Sequence, residues 1–199
     1  MKIFESLDKV SNEEMESKIL KKWKSEDILN KTIENRKNSK NFVFYDGPIY
    51  ANAKPGIHHV FAKTIKDSIC KYRTMKGNRV LRKIGLDTHG LPIEVNVEKK
   101  LGFKSKADIE KFGIENFCKE CNKETATNID IVKKVTDQMG QFIDMENPYI
   151  TCSNEFIESE WWLIKNIFDQ GLIYHGNKVL PYCPRCGTEL SANEVSQGY

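Results

Sequence analysis

Apolar positions along this chain follow two rhythms, and the change between them divides it. From Ser11 the rhythm is helical, with Met15, Ile19 and Trp23 three to four residues apart. Ser11 followed by Glu14 has the spacing of a capping box, so an amphipathic helix is predicted from about residue 12 to 24. The polar stretch Glu34-Asn-Arg-Lys-Asn-Ser-Lys40 ends this lead-in. Asn41-Phe-Val-Phe-Tyr45 is short, aromatic and β-branched and runs into Asp46-Gly47-Pro48, which must turn; it reads as a strand. Helical spacing returns at Phe61, Ile65, Ile69 and Tyr72, between Pro55-Gly56 and a stop at Gly77. Arg79-Val-Leu-Arg-Lys-Ile84 is the next strand. Strand, helix and strand at these lengths make a βαβ unit, the building block of a doubly wound parallel α/β sheet, which binds ligands beyond the carboxyl ends of its strands.

Two loops fall at those ends: residues 46 to 59, and Gly85-Leu-Asp-Thr-His-Gly-Leu-Pro92. Further on, Ser105 with Asp108 starts a helical region reaching about residue 143 and broken near Gly113. Another helix follows Ser153, with Ile157, Trp161, Ile164 and Phe168 on one face and a stop at Gly171. Trp161-Trp162 reads as core, because aromatic residues at helical spacing usually pack. No internal repeat or low-complexity tract interrupts the pattern.

Composition narrows the class without choosing a function. The 199 residues are 39% hydrophobic and 30% charged, with a mean hydropathy of -0.55, which suits a folded domain or a domain and a half rather than a disordered tail. No apolar run approaches the ~18 to 20 residues of a membrane span. Glu5 and Asp8 interrupt the apolar core a secretory signal would need, so the expected compartment is the cytoplasm, with no membrane partner. Thirty-one Lys and Arg against 28 Asp and Glu leave a formal charge of +3, mostly as lysine spread along predicted helices. That permits contact with a polyanion without demanding it.

Six cysteines are too few and too unevenly spaced for a disulfide scaffold of this length. Cys183-Pro-Arg-Cys186-Gly187, after Val-Leu-Pro-Tyr, has the form of a zinc knuckle: a strand delivers one thiolate, and glycine lets the chain turn so that both sulfurs face one point. It supplies two ligands of four. The others could come from beyond residue 199, which is the favoured source, from Cys118 and Cys121, or from another molecule. Cys118-Lys-Glu-Cys121 lies in a charged helical pattern and reads as ordinary helix residues.

Gly56 at a predicted helix start lets a ligand approach the backbone, whose free amides can hold phosphate oxygens. His58 and His59 stand there too. Spacing alone leaves two readings open, a pair that stabilises growing phosphate charge or one solvated ring and one that caps the turn. Asp87 and His89 on the second loop add weight to the first. A carboxylate at the end of a buried strand needs a cation, and a substrate ammonium would serve.

The run Phe44-Tyr-Asp-Gly-Pro48-Ile-Tyr-Ala-Asn52-Ala-Lys-Pro55-Gly-Ile-His-His59 resembles the first signature of the class I aminoacyl-tRNA synthetases, which ordinarily ends His-x-Gly-His. Gly85 to Glu94 is similar to the loop that marks the isoleucine branch of that family, and Leu180 to Tyr199 to the entry into its connective insertion. The resemblance implies a partial Rossmann-like parallel sheet, the first half of the catalytic core, with an N-terminal helical segment and the start of an insertion bearing a zinc half-site. It divides the chain into a helical lead-in (1 to 40), the first half of the Rossmann-type domain (41 to 150) and the beginning of the insertion (151 to 199).

It also implies roles. The Pro48 carbonyl and the Asp87 carboxylate would hold the ammonium of isoleucine; Asn52, Gly56, His58, His59 and His89 would bind ATP, which enters with Mg2+; His59 and His58 would be catalytic; Cys183 and Cys186 would hold Zn2+. The implied activity is that of an isoleucine-tRNA ligase, forming the adenylate and transferring it to tRNA(Ile), with editing by the longer protein and a monomeric state. Glycine stands at position 56 where histidine is usual, and histidine at 58 where glycine is usual. Ile49, Ala53 and Leu86 replace a common proline, glycine and tryptophan. The second class I signature, Lys-Met-Ser-Lys-Ser, is not among these residues, so residues 1 to 199 alone are expected not to charge tRNA. The competing expectations are a valine- or leucine-type class I enzyme and a zinc-knuckle RNA-binding module.

Overall fold

The structure, a computed structural model, describes residues 11 to 196. The start from Met1 to Val10, with the reading of its interrupted apolar pattern, and Gln197 to Tyr199 at the end of the third matching stretch lie outside the described residues. In chain order the elements are α1 (Asn12–Ser25), α2 (Ile28–Glu34), β1 (Asn41–Tyr45), β2 (Ile49–Tyr50), α3 (Ile57–Met75), β3 (Arg79–Asp87), α4 (Leu91–Leu101), α5 (Lys106–Phe112), α6 (Ile114–Gln138), β4 (Asp144–Ile150), α7 (Asn154–Asp169), β5 (Tyr182–Cys183), β6 (Thr188–Glu189) and α8 (Ala192–Ser196).

The chain divides into two compact units. The first holds residues up to Asp46, Pro55–Ile84 and Lys133–Asn147; the second holds Gly47–Lys54, Gly85–Val132 and from Pro148 onward. β3 runs through both, pairing in parallel with β1 from Asn41 opposite Arg79 to Tyr45 opposite Lys83 in the first unit. In the second it pairs in parallel with β2, Ile49 opposite Leu86 and Tyr50 opposite Asp87. β4 also pairs with β3. The expected parallel α/β fold is therefore present, with its first crossover through α3.

In the first unit, Ser11 and Glu14 close the predicted capping box on α1. The buried Arg82 on β3 organises the interior: its guanidinium donates to the carbonyls of Phe142 and Cys70, 3.1 Å each, and to Thr74 Oγ1. Thr74 donates in turn to Cys70 O at 2.9 Å, and Asp67 accepts from the Phe142 amide at 3.0 Å. These bonds tie α3 to the strand and to the chain after α6, and so fix where the start of α3 points. Desolvation lowers the pKa of Arg82; five fixed donors make arginine suited to such a place.

Several expectations are corrected. The strand predicted to stop at Ile84 continues through Asp87, because Ile84 and Leu86 are fully buried at 0% exposure and both faces of a parallel strand favour such a run. Gly85 belongs to it because the Tyr149 ring lies where a Cβ would stand. The loop of residues 46 to 59 contains β2, and the helical region expected to reach residue 143 ends at Gln138, with Gly140 at φ 64°. Neither α2, α4 nor β4 was legible in the pattern; β4 carries Pro148 and no alternation.

α7 forms where predicted, capped by Ser153, yet Trp161 and Trp162 are each 65% exposed rather than core. Helical spacing reports that a face is apolar; among the described residues no element covers it. Gly113, at φ 94°, separates α5 from α6 as expected.

Replacing Gly85 with alanine forces Tyr149 aside, and chemical denaturation is expected to show a loss of about 1 to 3 kcal/mol. Truncating the ring with Tyr149→Ala should make the same glycine substitution nearly neutral. An equal loss in both backgrounds would contradict the packing described.

Candidate functional site

In the first unit the site is built at the start of α3. Gly56 is the N-cap, in extended conformation at φ -85° and ψ 172°. Its N–H donates to Nδ1 of His59 at 3.0 Å. A nitrogen that accepts cannot carry the proton, so neutral His59 holds its proton on Nε2 and presents a donor. The His58 and His59 rings are 3.9 Å apart, tilted by 41°. Adjacent side chains on a helix diverge by about 100°, yet these rings form a close pair, because the His58 ring folds back over Gly56. A Cβ added to Gly56 would lie 2.9 Å from His58 Cε1 and 3.0 Å from its Nδ1. His58 fills the volume that a side chain at position 56 would occupy.

The next turn of α3 joins a buried charge cluster. Asp46, at the end of β1 and 1% exposed, binds Lys63 Nζ through Oδ2 and Lys66 Nζ through Oδ1, both at 2.7 Å. Its amide donates to Lys83 O at 3.2 Å. Lys63 follows His59 by one helical turn. The His59 pKa is lowered by burial first, then by His58 and Lys63. Together with the free amides of the helix start, a neutral Nε2–H donor suits an anion whose charge grows.

In the second unit, Pro48, Asn52, Asp87 and His89 lie on the turn around β2 and at the end of β3. The Ala51 amide donates to Asp87 O at 2.7 Å and Tyr50 OH to His89 O at 2.8 Å. Asn96 Nδ2 on α4 donates to Asn52 O at 2.8 Å. Half-buried Asp87 accepts from Thr151 Oγ1 at 3.3 Å. Thr151 in turn accepts from the Thr88 amide at 3.0 Å, while Thr88 Oγ1 accepts from the Cys152 amide at 3.1 Å. Gly90, at φ 110°, opens α4. No salt bridge to Asp87 occurs among the described residues, and a carboxylate that accepts from Thr151 retains lone pairs that can accept from a cation.

The third element, also in the second unit, is the β5–β6 hairpin. The Cys186 amide donates to Cys183 Sγ at 3.4 Å, and Gly187, at φ 68°, closes the turn. Hydrogen bonds from Cys186 lower the Cys183 pKa, whereas burial raises that of Cys186. Among the described residues no three His, Cys, Asp or Glu gather as a metal site, so the knuckle offers two sulfurs and Cys118 and Cys121 do not complete it. Both lie on α6, where burial first, then Glu94, pushes the Cys121 thiol up to about 11.

Sequence reasoning missed Lys63, Lys66, Thr151, Tyr50 and Asn96. Lys63 had a findable signal, a cation one turn beyond His59. Thr151 lies 64 residues from Asp87 and had none.

His59 has its pKa depressed in the folded state, so it contributes stability that is present above about pH 6.5, the unfolded value, and is lost as pH falls through the lower folded value. Urea denaturation from pH 7.5 to 5 should therefore show stability falling with acid, and less steeply in His59→Gln, whose amide oxygen can still accept from Gly56. An unchanged slope would contradict the assignment.

Residues 18–198 match the family model described as tRNA synthetases class I (I, L, M and V). The chain is 50% identical over 186 residues to an isoleucine–tRNA ligase of Clostridium kluyveri, covering 94% of this chain and 18% of that relative. It is 49% identical to an isoleucine–tRNA ligase of Dehalococcoides mccartyi, with the same coverage of 94% and 18%. Among solved structures, LeuRS of Agrobacterium radiobacter, in a ternary complex with tRNA and LeuAMS, aligns with a TM-score of 0.67 and 22% identity over 90% of this chain and 21% of its own. That likeness concerns the fold. The chain spans just under a fifth of the length of the curated relatives it matches.

Proposed function

The chain belongs to the class I tRNA synthetases of the I, L, M and V group, and from that premise we propose that it provides the first part of an isoleucine–tRNA ligase. The carboxylate of isoleucine attacks the α-phosphorus of ATP, the bond to the β-phosphate oxygen breaks, and pyrophosphate leaves. The terminal ribose hydroxyl of tRNA(Ile) then attacks the aminoacyl carbonyl, the bond from that carbonyl carbon to the phosphate oxygen breaks, and AMP leaves. Negative charge accumulates on the phosphate oxygens during attack, and the task of the protein is to hold the reactants and stabilise that charge.

The observation that carries this reading is the bond from the Gly56 amide to His59 Nδ1, which leaves the proton on Nε2 as a donor for a phosphate oxygen. His58 supplies the second imidazole from position 58, its ring standing in the space that Gly56 leaves. Asn52, Gly56 and His89 complete the nucleotide contacts. Asp87, oriented by Thr151, and the Pro48 carbonyl take the isoleucine ammonium. Mg2+ accompanies ATP and offsets phosphate charge. Cys183 and Cys186 fit two positions of a tetrahedral zinc, whose contribution when bound is to cross-link the knuckle.

Residues 1–40 act as a helical lead-in, 41–150 as the first half of the Rossmann-type domain and 151–199 as the start of the connective insertion; a monomeric, cytoplasmic protein fits this reading. No helix among the described residues is long and apolar enough to cross a membrane.

The test is a chimera in which this chain replaces the matching stretch of the Clostridium kluyveri enzyme. Isoleucine-dependent exchange of pyrophosphate into ATP is expected, with valine poorer and leucine inert. His59→Ala should lower kcat about 100- to 1,000-fold, Asp87→Ala should mainly raise KM for isoleucine, and the exchanged pair G56H/H58G should retain activity. Leucine- or valine-preferring exchange, or an unaffected His59→Ala, would contradict the proposal.

A further inference from the structure

Glu98 lies on α4 at 6% exposure, and a carboxylate that deep needs a cation. Its partner comes from 87 residues further along: Arg185 Nη2 donates to Glu98 Oε2 at 2.7 Å. Arg185 is the residue between Pro184 and Cys186, inside the knuckle, and its Nη1 lies 3.8 Å from Cys186 Sγ. One exposed side chain thus touches both a knuckle sulfur and the buried acid of α4. Two residues before Glu98 on the same helix, Asn96 holds the Asn52 carbonyl at 2.8 Å. The helix itself starts at Leu91, two residues after His89, whose carbonyl accepts from Tyr50. α4 is therefore gripped at one point by the knuckle while it grips the turn around Asn52 at another.

We propose that Arg185 and Glu98 form a latch that docks the knuckle on α4 and, through Asn96, sets the position of the Asn52 turn. Arg185 is then a positioning residue for the nucleotide side of the site, acting through Glu98 and Asn96. Its importance for catalysis rests on the function proposed above; the mechanical coupling does not. A rigid helix carries the effect, because Asn96 and Glu98 sit within one turn and cannot shift independently without breaking helical hydrogen bonds. The asymmetry of a buried ion pair makes the latch sensitive: losing Arg185 leaves Glu98 charged without its cation, and the helix must move or admit water to relieve it.

Amide hydrogen exchange on the 199-residue chain tests this without substrate or turnover, so failure here leaves the ligase reading standing. Arg185→Gln alters an exposed residue. It is expected to accelerate exchange within 51–54 and 91–101 as well as within 181–190, by roughly 2- to 150-fold, the range of direct pair couplings. Arg185→Lys should restore part of the protection. Glu98→Gln should accelerate the same segments, and the double variant should exchange no faster at 51–54 than the faster single one. Asn96→Ala should raise exchange at 51–54 and make that segment indifferent to Arg185→Gln, while 181–190 still responds. Acceleration confined to 181–190, additive effects of the two latch variants, or loosening spread equally over α5 and α6 would each overturn the latch.

Discussion

The hydrogen bond between the Gly56 amide and His59 Nδ1 sets which nitrogen of that imidazole carries the proton. An imidazole can donate from either nitrogen, and here the backbone at a helix start, by donating to Nδ1, leaves Nε2 as the donor. That choice holds only if the start of α3 is fixed. Asp46 holds it through Lys63 and Lys66, and Arg82 through Cys70 and Thr74 of α3. Buried charge serves orientation here: a carboxylate 1% exposed holds its place because two ammonium groups meet it. The same cluster, by placing Lys63 one turn from His59, helps to keep that ring neutral.

In the second unit the same logic works through neutral groups. Asp87 ends a strand whose interior is fully buried, and its carboxylate is aimed by a threonine pair rather than by a cation. A carboxylate held this way stays available to a positively charged ligand, whereas one already paired with lysine, as Asp46 is, does not. The two aspartates thus differ in what meets them: two lysines pair Asp46, and a threonine hydroxyl meets Asp87, the proposed ammonium site. Both stand at strand ends, and the sequence alone does not separate them.

Much of the frame was legible because local rules and tertiary context agree there. β1, α3 and α7 fall where spacing and capping residues put them, and the parallel pairing of β1 with β3 follows from the crossover length. Legibility fails where one level overrides another. Gly85 argues against a strand by propensity, yet lies inside β3 because an aromatic ring packs on its bare face. Trp161 and Trp162 have the spacing of core and remain exposed, because periodicity does not tell whether a covering element is present. At the site, His58 and His59 at a helix start and Asp87 at a strand end stood out as unusual residues. Thr151 and Asn96 did not, being ordinary residues brought in by long-range pairing. The close contact of His58 with Gly56 could be found only in three dimensions, since adjacent residues on a helix are expected to point apart.

The most direct measurement is the nitrogen-15 spectrum of His59 in the 199-residue chain with and without ATP. The account predicts that the proton resides on Nε2 in the free protein and that ATP shifts the Nε2 resonance while Nδ1, held by Gly56, barely changes. A proton on Nδ1, or an ATP-induced change that bypasses His59, would contradict it.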